Sequence, residues 1–224
     1  MSYGIEVRNS TGSLQIDSTY QNMVVLGRGT TSGYYDTQYC GNRIATVAFD
    51  FSGFSEAIIA VRPKNGDGIY RAFPDFNNNQ FVINFGNTNY DNTSSSVDYI
   101  IYGLASQKTV NSAYGLKIFD SQGTKVFDSG LEYLKITDVL TFNLPSGGSD
   151  YSASTTTLPI PSGKVGLYLL SPTGLCTSSA VGGGYRVYTS SFVSFTSDNK
   201  VQINNASVTE SDNFKIFLVE DPGV

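Results

Sequence analysis

The chain has 224 residues, a net charge of −5 and neither histidine nor tryptophan. Without histidine there is no Ser-His or Cys-His nucleophile pair, and the commonest metal ligand is missing; two cysteines, Cys40 and Cys176, cannot build a zinc site alone. No Lys/Arg cluster is present to neutralise phosphates and no stretch has the apolar length of a membrane helix, so neither nucleic acid nor membrane insertion is expected.

Tyr, Phe, Val, Ile, Thr and Ser are plentiful, Gly is abundant and charge is sparse, which favours strands joined by Gly, Asn, Asp and Ser turns. The expected class is all-β. Tyr3, Ile5 and Val7 alternate with Gly4, Glu6 and Arg8, the period of a half-buried strand. Asn9-Ser10-Thr11-Gly12 then reads as a tight turn, with Gly12 supplying the positive φ and the Asx side chain bonding the backbone ahead of it. A return strand carries Leu14 and Ile16 to Asp17-Ser18, where the Asp oxygens cap the next turn. Further strands are expected at Met23–Leu26, Arg43–Phe51, Ala57–Val61, Gln80–Phe85 and Tyr99–Leu104. Asn65-Gly66-Asp67-Gly68 and Phe76-Asn77-Asn78-Asn79 read as loop tips.

The opening then returns. Tyr114-Gly115-Leu116-Lys117-Ile118-Phe119-Asp120-Ser121-Gln122-Gly123 repeats the first strand and turn, and Phe127-Asp128-Ser129 answers Ile16-Asp17-Ser18. Six of sixteen positions from Tyr3 to Ser18 are identical to their counterparts, against about one expected by composition. Gly123 and Asp128 thus inherit the roles of Gly12 and Asp17. More weakly, Ala57–Pro63 resembles Gly166–Pro172, and Val97–Tyr102 parallels Ser211–Phe217 with one residue inserted. Strands are expected at Leu131–Ile136, Leu140–Leu144, Val165–Leu170, Tyr185–Tyr188, Phe192–Phe195, Val201–Ile203 and Phe214–Val219. The expected architecture is two tandem β-sandwich, jelly-roll-like domains from an internal duplication, residues 1–106 and 113–224. The alternative is one larger sandwich whose halves share only a hairpin.

Nothing in the spacing selects a catalytic group. Val181-Gly182-Gly183-Gly184-Tyr185 lacks the Lys-Ser/Thr of a phosphate loop and reads as a hairpin loop. Asp17 and Asp128 fit structural caps better than a carboxylate pair, and no metal or other cofactor is expected. Cys40 and Cys176 read as reduced thiols, and the sequons at Asn9, Asn92 and Asn205 as unused. Tyr34, Tyr35, Tyr39, Tyr90 and Tyr151 lie in polar stretches and are candidate interface residues. Five of the seven basic residues up to Ser112 are Arg (Arg8, Arg28, Arg43, Arg62, Arg71), against Arg186 alone among the seven after it. Arg favours interfaces, so the first half is expected to dock onto an assembly and the second to project outward.

In Met1-Ser2-Tyr3-Gly4-Ile5-Glu6-Val7 and Leu14-Gln15-Ile16-Asp17-Ser18-Thr19-Tyr20 the chain resembles small tail-associated proteins of tailed bacteriophages and prophages. The resemblance implies a non-enzymatic virion protein of the tail tip, baseplate or fibre attachment. It further implies assembly in the host cytoplasm, symmetric homo-oligomers, other tail proteins as partners and no cofactor. The N-terminus shows no basic-then-apolar signal segment, in keeping with that expectation. The alternative is a receptor-binding module whose outer loops, Phe76–Gln80 or Val181–Tyr185, contact a host-surface glycan or protein.

Overall fold

The protein is described by a computed structural model covering residues 6–8, 10, 14–17, 22–35, 43–53, 56–64, 67–86, 95–109, 114–143, 154–170, 176–181, 185–205 and 213–222. The class is all-β, and the sheets are antiparallel. The first half supplies β1 (Glu6–Arg8), β2 (Leu14–Asp17), β3 (Met23–Ser32), β4 (Tyr34–Tyr35), β5 (Arg43–Ala48), β6 (Ala57–Pro63), β7 (Gly68–Asp75), β8 (Gln80–Gly86) and β9 (Ser96–Leu104). A 3-10 turn, Ala105–Gln107, leads to the second half. There follow β10 (Lys117–Phe119), β11 (Lys125–Asp128), β12 (Lys135–Asn143), β13 (Ser154–Pro159), β14 (Tyr168–Leu170), β15 (Cys176–Val181), β16 (Tyr185–Phe195), β17 (Lys200–Asn205) and β18 (Asn213–Glu220).

The halves do not close into separate sandwiches at 1–106 and 113–224. Sheet I runs β12-β18-β14-β6-β9-β3 and sheet II runs β13-β17-β16-β7-β8-β5-β4, so both sheets contain strands of both halves. The seams are the β14–β6 pairing (Leu169 opposite Val61, Leu170 opposite Ala60) and the Val193–Ile69 pair of β16 and β7. Between the sheets lies one core in which Ile59, Phe81, Phe85 and Ile101 of the first half pack with Leu140, Leu169, Ile203 and Leu218 of the second. Either half alone would leave β6 or β14, and β7 or β16, as open apolar edges. Joining them covers those edges and enlarges the core.

The pairing registers of the two halves match in several places. Hairpin β1–β2 pairs Glu6 with Asp17, Val7 with Ile16 and Arg8 with Leu14; hairpin β10–β11 pairs Lys117 with Asp128, Ile118 with Phe127 and Phe119 with Lys125, with the irregularity at the same step. β3 and β12 each carry one extra residue at matching places, Leu26 and Thr137. Their partners then make Tyr102 the counterpart of Val219, and Ile59 the counterpart of Leu169. These correct the alignments drawn from sequence by one residue in β14 and two in β18. The one-residue slip would set Ala60, which faces the second core described below, against Leu169, which faces the first. Among the described residues β4 and β15 have no counterpart in the other half; β15 pairs with β16 as a ribbon off the main path of sheet II.

Sheet I also curls on itself. Val25 N–H donates to Glu132 O at 2.8 Å and Leu134 N–H to Met23 O at 2.9 Å, on either side of a Val24–Tyr133 bridge. Because β3 and β12 are the outer strands of this sheet, the contact joins its two edges at that end. The enclosed face forms a second core of Val25, Ala60, Ile100, Tyr102 and Val219, with Met23, Ile58, Leu134, Tyr168 and Leu170 against it.

Several elements differ from expectation in extent. β5 stops at Ala48, and β12 and β16 each run through a stretch read as two strands. β7, which carries Pro74, was not among the expected strands. Only Ile69 of β7 is bridged to β16, near the strand's start, so the missing N–H at Pro74 breaks no ladder bond on that side.

Candidate functional site

The β7–β8 turn and the loop after β5 meet at one end of the sandwich. Asp75 fixes the turn: its carboxylate accepts the Asn78 amide at 2.7 Å and the Gln80 amide at 3.2 Å. These bonds hold Asp75 below the ordinary carboxylate range. Asn79 closes the loop at φ 49°, a left-handed conformation that Asn tolerates better than other side chains do. Its carbonyl accepts Phe49 N–H at 2.8 Å and its side-chain oxygen accepts Phe51 N–H at 3.4 Å, which ties the two loops together. Next to them Asp50 accepts both the backbone N–H and the hydroxyl of Ser52 at 2.8 Å, which lowers its pKa in turn. On the far side, Gln107 donates to Gly53 O at 3.3 Å.

Four phenylalanines run outward through this frame. Phe81 is fully buried; Phe51 stands 5.2 Å from it and 5.0 Å from Phe49; Phe76 packs against Phe51 at 4.8 Å with planes tilted 57°. Phe51 is 9% exposed and Phe76 is 61% exposed. The outermost ring is thus displayed to solvent while it packs against a ring of the core. Its neighbours in the turn, Asn77, Asn78 and Asn79, and the residues flanking Phe51, Asp50 and Ser52, are all exposed. The tip combines an anchored aromatic surface with oriented amides and carboxylates, an arrangement suited to binding.

The second half offers an internal comparison. There the β16–β17 turn, Ser197-Asp198-Asn199, also ends in a left-handed residue, Asn199 at φ 58°, whose amide donates to Lys164 O in the loop after β13 at 2.7 Å. The frame is kept, but no aromatic residue occupies this turn or the 160–164 loop. Phe76 is therefore not required to form such a turn. Sequence reasoning named Phe76–Gln80 as an outer loop but missed Phe49, Phe51, Asp50 and Asp75; a lone Phe opening an Asn run was the available signal.

The other singled-out residues lie elsewhere. Gly123 has φ 81° in the β10–β11 turn, where its N–H donates to Asp120 O at 3.1 Å. Asp128 is fully buried at the end of β11. Burial opposes its ionisation, but the Gly130 N–H at 3.0 Å and the Lys125 ammonium at 3.3 Å outweigh that and hold its pKa down. Tyr133 stacks on Phe127 at 5.0 Å and exchanges hydrogen bonds with the Asp128 backbone, so this step builds the passage from hairpin to β12. Arg8, Asp17, Tyr34 and Tyr35 are backbone positions of β1, β2 and β4; Gly12, Tyr90, Tyr39, Tyr151 and Cys40 lie outside the described residues.

The arginines are dispersed. Arg28 pairs with Glu132 and, at 3.3 Å, with Asp221, and Arg62 lies in the next row on the same face of sheet I, the face turned away from the shared core. Arg43 is half-buried and bonds Ser95 Oγ at 3.1 Å. Arg71 lies over the Phe73 ring at 4.0 Å, on the outer face of sheet II. Arg28 and Arg62 therefore share one side of the sandwich and Arg71 occupies the opposite one. Also inside the curl of sheet I, the fully buried Tyr102 hydroxyl has no hydrogen-bond partner among the described residues, and burial pushes its pKa up. Among the described residues no three His, Cys, Asp or Glu side chains come together to hold a metal ion. The chain matches no protein-family model, no curated protein and no solved structure.

Proposed function

We propose that the protein is a non-enzymatic structural component of a bacteriophage tail, at the tip, baseplate or fibre attachment. It acts as a rigid two-sheet body that contacts other tail proteins and copies of itself, is assembled in the host cytoplasm and needs no cofactor. The observation that carries this reading is where the carboxylates go. Asp128, Asp138 and Asp75 are committed to Gly130 and Lys125, to Ser162, and to Asn78 and Gln80, so each serves a turn or a strand junction. The opening motif and its copy at Tyr114–Ser129 supply the link to tail proteins. We also infer that the two halves arose by internal duplication, each now forming half of one sandwich; the matched hairpin registers and the matched extra residues Leu26 and Thr137 support this. The test is deletion of the gene. Loss of complete particles supports the structural role, whereas normal particles with unchanged adsorption contradict it.

A second reading is attachment to the host surface, favoured by the Phe76 tip. Here deletion leaves particles intact and abolishes adsorption.

A further inference from the structure

We infer that the Phe76 tip is a saccharide-binding site whose ligand is a neutral hexose or N-acetylhexosamine unit of a surface glycan. This deepens the second reading above, attachment to a host surface, and rests on it. The Phe76 ring offers an electron-rich face that attracts the C–H-rich face of a pyranose. Its seating on Phe51 at 4.8 Å holds that face in place before the ligand arrives, so little ordering cost falls on binding.

The surroundings choose between a sugar and a protein pocket. A protein hot spot is ringed by contacts that exclude water. Here the residues that adjoin Phe76 and Phe51 along the chain, Asn77, Asn78, Asn79, Asp50 and Ser52, are polar and all exposed. Asn78 gives its amide N–H to Asp75, which orients its side-chain carbonyl, and Asp50 is held by Ser52. Fixed amide and carboxylate oxygens beside a ring match equatorial hydroxyls beside a C–H face. Charge chooses the class of sugar. Segments 49–53 and 75–80 contain Asp50 and Asp75 and no Lys or Arg, so sialylated, sulfated or phosphorylated glycans are repelled.

The second tip shows that this chemistry is added to the fold. It keeps the left-handed Asn and its link to the neighbouring loop, with Ser197 opening the turn where the first tip has Phe76 and Ser162 in the adjoining loop where the first has Phe51.

The experiment uses the purified full chain on an array of neutral hexose and N-acetylhexosamine oligosaccharides, with sialylated and sulfated glycans alongside. The best binder is then followed by saturation-transfer NMR. Wild-type protein is expected to bind neutral glycans only. Phe76→Ala should weaken binding at least tenfold with an unchanged unfolding midpoint, Phe76→Trp should retain it, and Ser197→Ala at the second tip should leave it unaltered. Absence of neutral-glycan binding, preference for acidic glycans, or binding that survives Phe76→Ala overturns the inference. If Phe76→Ala instead blocks incorporation into particles and no glycan is bound, the tip is a protein contact; the saccharide inference fails while the tail role stands.

Discussion

Leu169→Ala tests whether the two halves are one folding unit. Leu169 is fully buried in β14, opposite Val61 of β6, and its side chain belongs to the core shared by both halves. Removing a buried leucine side chain costs about 2–5 kcal/mol, and the tight packing between two sheets places this site near the middle, about 3 kcal/mol. For a chain of this size, a loss of that order lowers the thermal midpoint by roughly 6–12 °C. Urea unfolding followed by tyrosine fluorescence, with hydrogen exchange read strand by strand, measures the effect. One transition is expected in wild type and variant alike. The amides of β9, which lie wholly in the first half, should lose as much protection as those of β18 in the second. Two transitions, or a loss confined to residues 113–224, would refute the shared core and restore independent domains.

Asp128→Ala removes the buried carboxylate that accepts from Gly130 N–H and Lys125, and should cost about 1.5–3 kcal/mol, since two charge-assisted bonds are lost while the Lys125 ammonium keeps the Lys108 carbonyl; a loss under about 0.5 kcal/mol by urea titration would contradict the pairing. The folded-state pKa of Asp128 is depressed, so its contribution is fully present above the unfolded-chain value and lost as pH falls through the folded one. Asp67, raised mainly by burial, has the opposite sign, stabilising at low pH and losing that contribution as pH rises through its folded value. Acid titration of Asp128→Asn should therefore be flatter below about pH 4 than that of wild type. Tyr102→Phe should leave stability unchanged or raise it slightly, since the buried hydroxyl it removes is unpaired among the described residues; a loss above about 1 kcal/mol would reveal a partner. Asn79→Val should cost about 1–2 kcal/mol by chemical denaturation because a β-branched residue resists φ 49°, and Asn79→Gly should cost less.

The repeated hairpin was legible in the sequence because its determinants are local: alternation at Tyr114, Leu116 and Ile118, a glycine at the turn and an Asp-Ser exit. The joining of the halves was not, because the seams pair strands whose partners lie about a hundred residues away. One signal did point to it. Ala57-Ile58-Ile59-Ala60-Val61 is apolar without alternation, the pattern of a strand buried on both faces, and β6 indeed sits at the seam of sheet I between two cores. The one-residue error in aligning β14 followed from reading composition without faces. The candidate site was half legible: Phe76 stood out in its Asn run, but Phe51 and Asp50 reach it through a loop contact that no spacing announces.

The central claim is a place in the virion tail, and the most direct measurement is antibody-gold labelling of purified particles from the strain that encodes the chain, viewed by electron microscopy. The account predicts gold at the distal tail and a matching band in the particle's protein profile. Complete particles with neither label nor band would contradict it.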